Sequence, residues 1–95
     1  MNNYEAMFIL DPNLDDASKE SVVTMVKGVI EKDGEVIETK DMGVKKLAYP
    51  IEGKKTGHYY LITFKGSTAL PAEIDRRLWI SESVMRRMIV NTDEK

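Results

Sequence analysis

The residues that could do chemistry are few and mostly cationic. Lys45 and Lys46 stand side by side within the run Lys40 to Ile51, which reads K-D-M-G-V-K-K-L-A-Y-P-I; Lys54 and Lys55 follow, and Arg76-Arg77 and Arg86-Arg87 repeat the pairing. Cations on strands either hold anions such as phosphate or keep a surface solvated. Catalysis is a poor fit. An enzyme needs a nucleophile, base or metal in a pocket, and the single histidine, His58, has no second group placed beside it by sequence. With no cysteines, neither a disulfide framework nor a thiolate metal site is available, so no metal, cofactor or small-molecule substrate is expected. The turn Asp11-Pro12-Asn13-Leu14-Asp15-Asp16 is acidic and would repel phosphate rather than cradle it.

Charge distribution says more than charge total. The net charge of -2 argues against a protein that coats nucleic acid through bulk charge. Residues 40 to 58 carry five lysines against Asp41 and Glu52, a balance of +3, which leaves -5 for the remainder. Two readings stand: solvated lysines on a hairpin, or an acidic body with a basic rim. At 95 residues, with 42% hydrophobic and 32% charged, the chain is expected to form one domain (1–95) around one small core. No signal-peptide pattern opens it and no apolar run approaches ~18 residues, so no membrane contact and a cytoplasmic, reducing setting are expected.

The elements that must position these groups follow from periodicity. Tyr4 to Leu10 is apolar on both faces, as in a central strand. Asp11-Pro12-Asn13 stops it, and Asp15-Asp16 suits the positive end of a helix in which Val22, Met25, Val26, Val29 and Ile30 form one apolar stripe, with Gly34 as its C-terminal cap. Glu35 to Pro50 reads as a second, long strand, with Gly43 a bend or bulge and Pro50 placing the segment at an edge. Gly53 to Gly57 reads as a flexible hairpin connection, and His58 to Lys65 as a third strand. Pro71 suits the first turn of a second helix carrying Leu70, Ile74 and Leu78, and Val84 to Val90 forms a fourth strand. Asn91 to Lys95 looks like a frayed end.

Strand, helix, strand, strand, helix, strand is the order of an α+β, ferredoxin-like βαββαβ sandwich: a four-stranded antiparallel sheet with two helices on one face. If Ala6, Phe8, Leu10, Tyr60, Ile62 and Phe64 point at the helices, then Met7, Ile9, Tyr59 and Leu61 line the open face. An apolar patch there marks a partner surface, the alternative being ordinary scattered apolar residues. An RNA-recognition motif shares the topology, but this open face offers only Tyr59, followed by Leu61, where two stacking aromatics are wanted. A homodimerising interaction module would use the same face. Alternation puts Arg86 and Arg87 on opposite faces, so at most one lies on the open side.

Tyr4-Glu5, Asp11-Pro12-Asn13-Leu14, the block Gly43-Val44-Lys45-Lys46-Leu47-Ala48-Tyr49-Pro50-Ile51 and the run Val84-Met85-Arg86-Arg87-Met88-Ile89-Val90 together resemble the bacterial small-subunit ribosomal protein S-six family, in the right order along the whole chain. That resemblance implies a structural, non-enzymatic role. The family pairs with ribosomal protein S-eighteen, and the pair binds the central domain of small-subunit ribosomal RNA. On this basis Met7, Ile9, Tyr49, Tyr59 and Leu61 are the candidate partner-protein residues. Lys45, Lys46, Lys54, Arg86 and Arg87 are the candidate RNA contacts. Three departures accompany the match: Asn2, followed by Asn3, stands next to the initiator methionine where a basic residue is common, Met42 stands where an aromatic is frequent, and the long acidic tail of some members is absent.

Overall fold

A computed structural model describes residues 2–51 and 53–93. The elements run β1 (Asn2–Leu10), α1 (Asp16–Glu31), β2 (Gly34–Ile51), β3 (Lys54–Gly66), α2 (Leu70–Ile80) and β4 (Val84–Asn91). The sheet order is β2-β3-β1-β4 with every neighbouring pair antiparallel, the split arrangement expected from the element order. The two strands that are apolar on both faces, β1 and β3, occupy the centre. The proline-bearing β2 is an edge.

The core lies between sheet and helices. Tyr4, Ala6, Phe8 and Leu10 of β1 and Tyr60, Ile62 and Phe64 of β3 bury there against Val22, Val26, Val29 and Ile30 of α1 and Leu70, Ile74 and Leu78 of α2. Their spacing is two residues on the strands and three to four on the helices, so each element turns one face inward. Burying each large aliphatic side chain contributes roughly 1.5–3 kcal/mol. Stacked rings, Tyr4 on Phe64 at 5.4 Å and Phe8 on Tyr60 at 5.5 Å, tie the two central strands across the inner face. Asp15 caps α1 by accepting from the Ser18 amide at 2.8 Å.

Three local expectations are corrected. Gly34 is not a helix cap: α1 ends at a right-handed Lys32, and Gly34 opens β2 opposite Gly66. A Cβ at position 34 would sit 2.0 Å from the Lys65 carbonyl oxygen, so glycine is required by close strand approach. The stretch Lys54 to Gly57 is not a flexible connection but the start of β3. Ile51 pairs with Lys54, Lys46 with Thr56 and Lys45 with Gly57, with the turn made at a left-handed Gly53. Fraying does not begin at Asn91, which pairs with Tyr4; Thr92 donates to the Asn3 carbonyl at 2.9 Å, and the Asp93 carboxylate accepts from the Asn3 backbone and side chain. Residues 94 and 95 of that expectation lie outside the described residues. Gly43 does form the anticipated bulge, at φ +81°.

Candidate protein and RNA interface

Strand register determines which side chains reach the open face. Met7 lies opposite Leu61 on one side and Met88 on the other; Ile9 lies opposite Tyr59 and Arg86. Because β1 turns Ala6 and Phe8 into the core, these partners all project away from the helices. Met7, Ile9, Tyr59, Arg86 and Met88 border a hollow of about 320 Å³, with part of Arg87 at its edge. Met7, Tyr59 and Leu61 are half-buried, whereas Met88 and Val90 are exposed.

The far half of β2 bends over this face. Its ladder with β3 lapses between Lys46 and Ile51, which frees the segment around Pro50. Leu47, 7% exposed, comes down on Ile9, which is left only 3% exposed. The fit is close: a Cβ on Gly57 would lie 2.3 Å from Ile9 Cγ2 and 3.4 Å from Leu47 Cδ2. Ile9 therefore supports the face from beneath rather than presenting itself to a partner. Tyr49, two residues beyond Leu47, meets Arg86. Arg86 Nη1 donates to Tyr49 Oη at 2.8 Å and its guanidinium lies 5.8 Å from the ring centre, and this hydrogen bond holds Arg86 above the usual arginine range. Lys45 reaches over Tyr59, its Nζ 5.9 Å from the ring centre.

The five candidate cations are not equivalent in position. Lys45 and Arg86 flank the open face. Lys46 is exposed on the opposite side of the arm, and Lys54 is bonded to Asp11. Arg87, opposite the core residue Phe8, turns toward the helices and bonds Asp75 of α2 at 2.7 Å through its Nε. The Asn3 side chain is engaged by Asp93, and Asn2 Nδ2 donates to Tyr4 Oη at 3.1 Å.

Sequence reasoning missed Leu47, Met88 and Val90 on this face. Alternation from Lys45 reaches Leu47, and alternation from Arg86 reaches Met88 and Val90, so that signal was present. It missed Trp79 and Ile80 as well, which stand 68% and 58% exposed at the end of α2. It also missed the surroundings of His58, which lies between Lys19 and Asp41.

The class of protein defined here is a ferredoxin-like βαββαβ sandwich with an apolar open sheet face and cations at its border. The family model for Ribosomal protein S6 matches residues 3–91. The small ribosomal subunit protein bS6 of Clostridium novyi is 46% identical, covering 99% of this chain and all of that protein, and its counterpart from Clostridium kluyveri is 47% identical over the full length of both. The crystal structure of the 30S ribosomal protein S6 from Thermotoga maritima superposes with a TM-score of 0.90 at 27% identity, covering 98% of this chain and 89% of that one. The chain belongs to the ribosomal protein S6 family.

Proposed function

We propose that this chain is a non-catalytic component of the small ribosomal subunit that docks ribosomal protein S-eighteen on its open sheet face, the pair then binding the central domain of small-subunit ribosomal RNA. The observation that carries this reading is the composition of the face: Met7, Met88 and Tyr59 around a shallow hollow, Leu61 beside Met7 on the same face, and Lys45 and Arg86 at the border. The apolar centre suits a protein surface and the cationic border suits a phosphate backbone running beside it. Among the described residues few cations border the open face, Lys45 and Arg86, so the chain alone has weak RNA affinity, since each neutralised phosphate adds roughly 0.9 to the logarithmic salt slope on duplex. A docked basic partner supplies the remaining contacts, and the acidic body attracts that partner.

Titration calorimetry with purified S-eighteen tests the face. Met7→Asp and Leu61→Asp each place a carboxylate in its centre while leaving the helix-side core untouched. Both variants are expected to stay folded by circular dichroism and to lose detectable pairing; a folded variant that pairs normally refutes the assignment. A stable homodimer of the isolated chain in sedimentation would instead favour self-association through this face.

A further inference from the structure

Lys19, His58 and Asp41 form a chain of side chains on the helix side of the sheet that the docking face does not use. Lys19 of α1 is a charged residue only 7% exposed. Its Nζ lies 2.9 Å from His58 Nδ1, and His58 Nε2 lies 2.5 Å from Asp41 Oδ1. An ammonium only donates, so Nδ1 is the acceptor and Nε2 carries the proton given to Asp41. His58 also stacks on Tyr60 at 4.5 Å, which sets its ring plane. The same Asp41 Oδ1 accepts from the Gly43 amide at 2.9 Å. One carboxylate oxygen is thus tied both to an imidazole anchored on α1 and to the bulge in β2.

That bulge decides which side chains of the arm reach the open face. Asp41 stands opposite Tyr60 and Gly43 opposite Tyr59, with Met42 the extra residue. Alternation beyond it sends Lys45, Leu47 and Tyr49 to the open side, where they meet Tyr59, Ile9 and Arg86. Without the extra residue a continuous ladder would place Gly43 opposite His58 and Val44 opposite Gly57. Val44, Lys46 and Ala48 would then face the partner and Lys45, Leu47 and Tyr49 would turn away, because a slip of one residue exchanges the two faces. Of the three register shifts between β2 and β3, at Val36/Glu38, Asp41/Gly43 and Lys46/Ile51, Asp41 borders the one that directly precedes Lys45.

We infer that Lys19, His58 and Asp41 form a register lock: they hold the bulge at Met42-Gly43 and so select the side of the β2 arm that a docking protein meets. They are positioning residues, acting through Lys45, Leu47 and Tyr49 without touching the partner themselves. The lock is a property of the isolated chain. Its effect on affinity rests on the open face being the docking site for S-eighteen, as proposed above.

Asp41→Ala removes the shared acceptor, whereas Asp41→Asn keeps an amide oxygen able to accept from both Gly43 and His58. Asp41 is an exposed side chain, so neither change threatens the core. In the isolated chain, NMR cross-peaks between Leu47 and Ile9 and between Tyr49 and Arg86 report the register directly. Asp41→Ala is expected to abolish both sets and to weaken S-eighteen binding about tenfold, with Asp41→Asn retaining both properties. Lys19→Met, which keeps the aliphatic stem, is expected to weaken the same cross-peaks. Native cross-peaks in Asp41→Ala overturn the lock. Absent cross-peaks with unchanged S-eighteen affinity leave the lock standing and overturn the open face as the docking site.

Discussion

Arg86 Nη1 donates to Tyr49 Oη across 2.8 Å, joining β4 at one edge of the sheet to an arm that grows from β2 at the other. The hydrogen bond closes a strap over the open face. Both side chains are largely solvent-exposed, so the strap is weak and opens readily. Tyr49→Phe removes the hydrogen bond but keeps the ring under the guanidinium. It is expected to change unfolding free energy in urea by less than about 1 kcal/mol, while amide exchange from Leu47 to Ile51 quickens. A loss of about 3 kcal/mol would make the strap part of the core, contrary to its exposure.

Beneath the strap the packing is tight, and Gly57 is where it shows. A methyl group there meets Ile9 Cγ2 at 2.3 Å, with Leu47 close behind. Gly57→Ala is expected to destabilise by about 1–3 kcal/mol through overpacking, read from the urea midpoint. Adding Ile9→Ala opens the needed space. The double variant is therefore expected to lose less than the sum of the two single losses, a coupling that a thermodynamic cycle measures.

The elements were legible because the core is simple. Runs apolar on both faces in β1 and β3 and the stripes of α1 and α2 gave the layers, and Pro50 gave the edge position of β2. Within the site, alternation also separated Met7, Tyr59 and Leu61 from the inner face. What alternation could not show was its own origin. Arg86 and Arg87 were equivalent until pairing with Ile9 and Phe8 placed one on each side. Gly34 looked like a helix cap and Gly57 like part of a hairpin turn, yet both are glycines because another group passes within van der Waals distance, which no local pattern encodes. His58 looked isolated because its neighbours Lys19 and Asp41 are far from it in sequence and arrive only through the fold.

Acid should loosen the arm before the core. The hydrogen bond from His58, aided by the Gly43 amide, holds the Asp41 carboxyl below its ordinary value near 3.8, and Lys54 does the same for Asp11. A depressed folded value means the stabilising contribution is complete above the unfolded value and is lost as pH falls below about 3.8 through the folded one. Urea midpoints measured from pH 7 to pH 2 are expected to fall less steeply in Asp41→Asn than in the native chain. Equal slopes would mean that Asp41 titrates alike in folded and unfolded chains.

RNA binding should discriminate among the five cations according to how each is held. Among the described residues Lys45 and Arg86 have no carboxylate partner and lie against aromatic rings of the open face, so their charges remain available to a phosphate backbone. Arg87 has its charge already opposed by Asp75, and Lys54 by Asp11. Lys45→Glu and Arg86→Glu are expected to weaken assembly of the S-eighteen and central-domain RNA complex and to lower the logarithmic salt slope by roughly 0.9 for each phosphate no longer neutralised. Arg87→Gln is expected to leave both unchanged, its cost appearing instead as a small loss of stability where α2 meets β4. Gel-shift titrations across a salt series decide this. A reduced slope in Arg87→Gln with an unaltered slope in Arg86→Glu would transfer the phosphate-binding role to the helix side of β4.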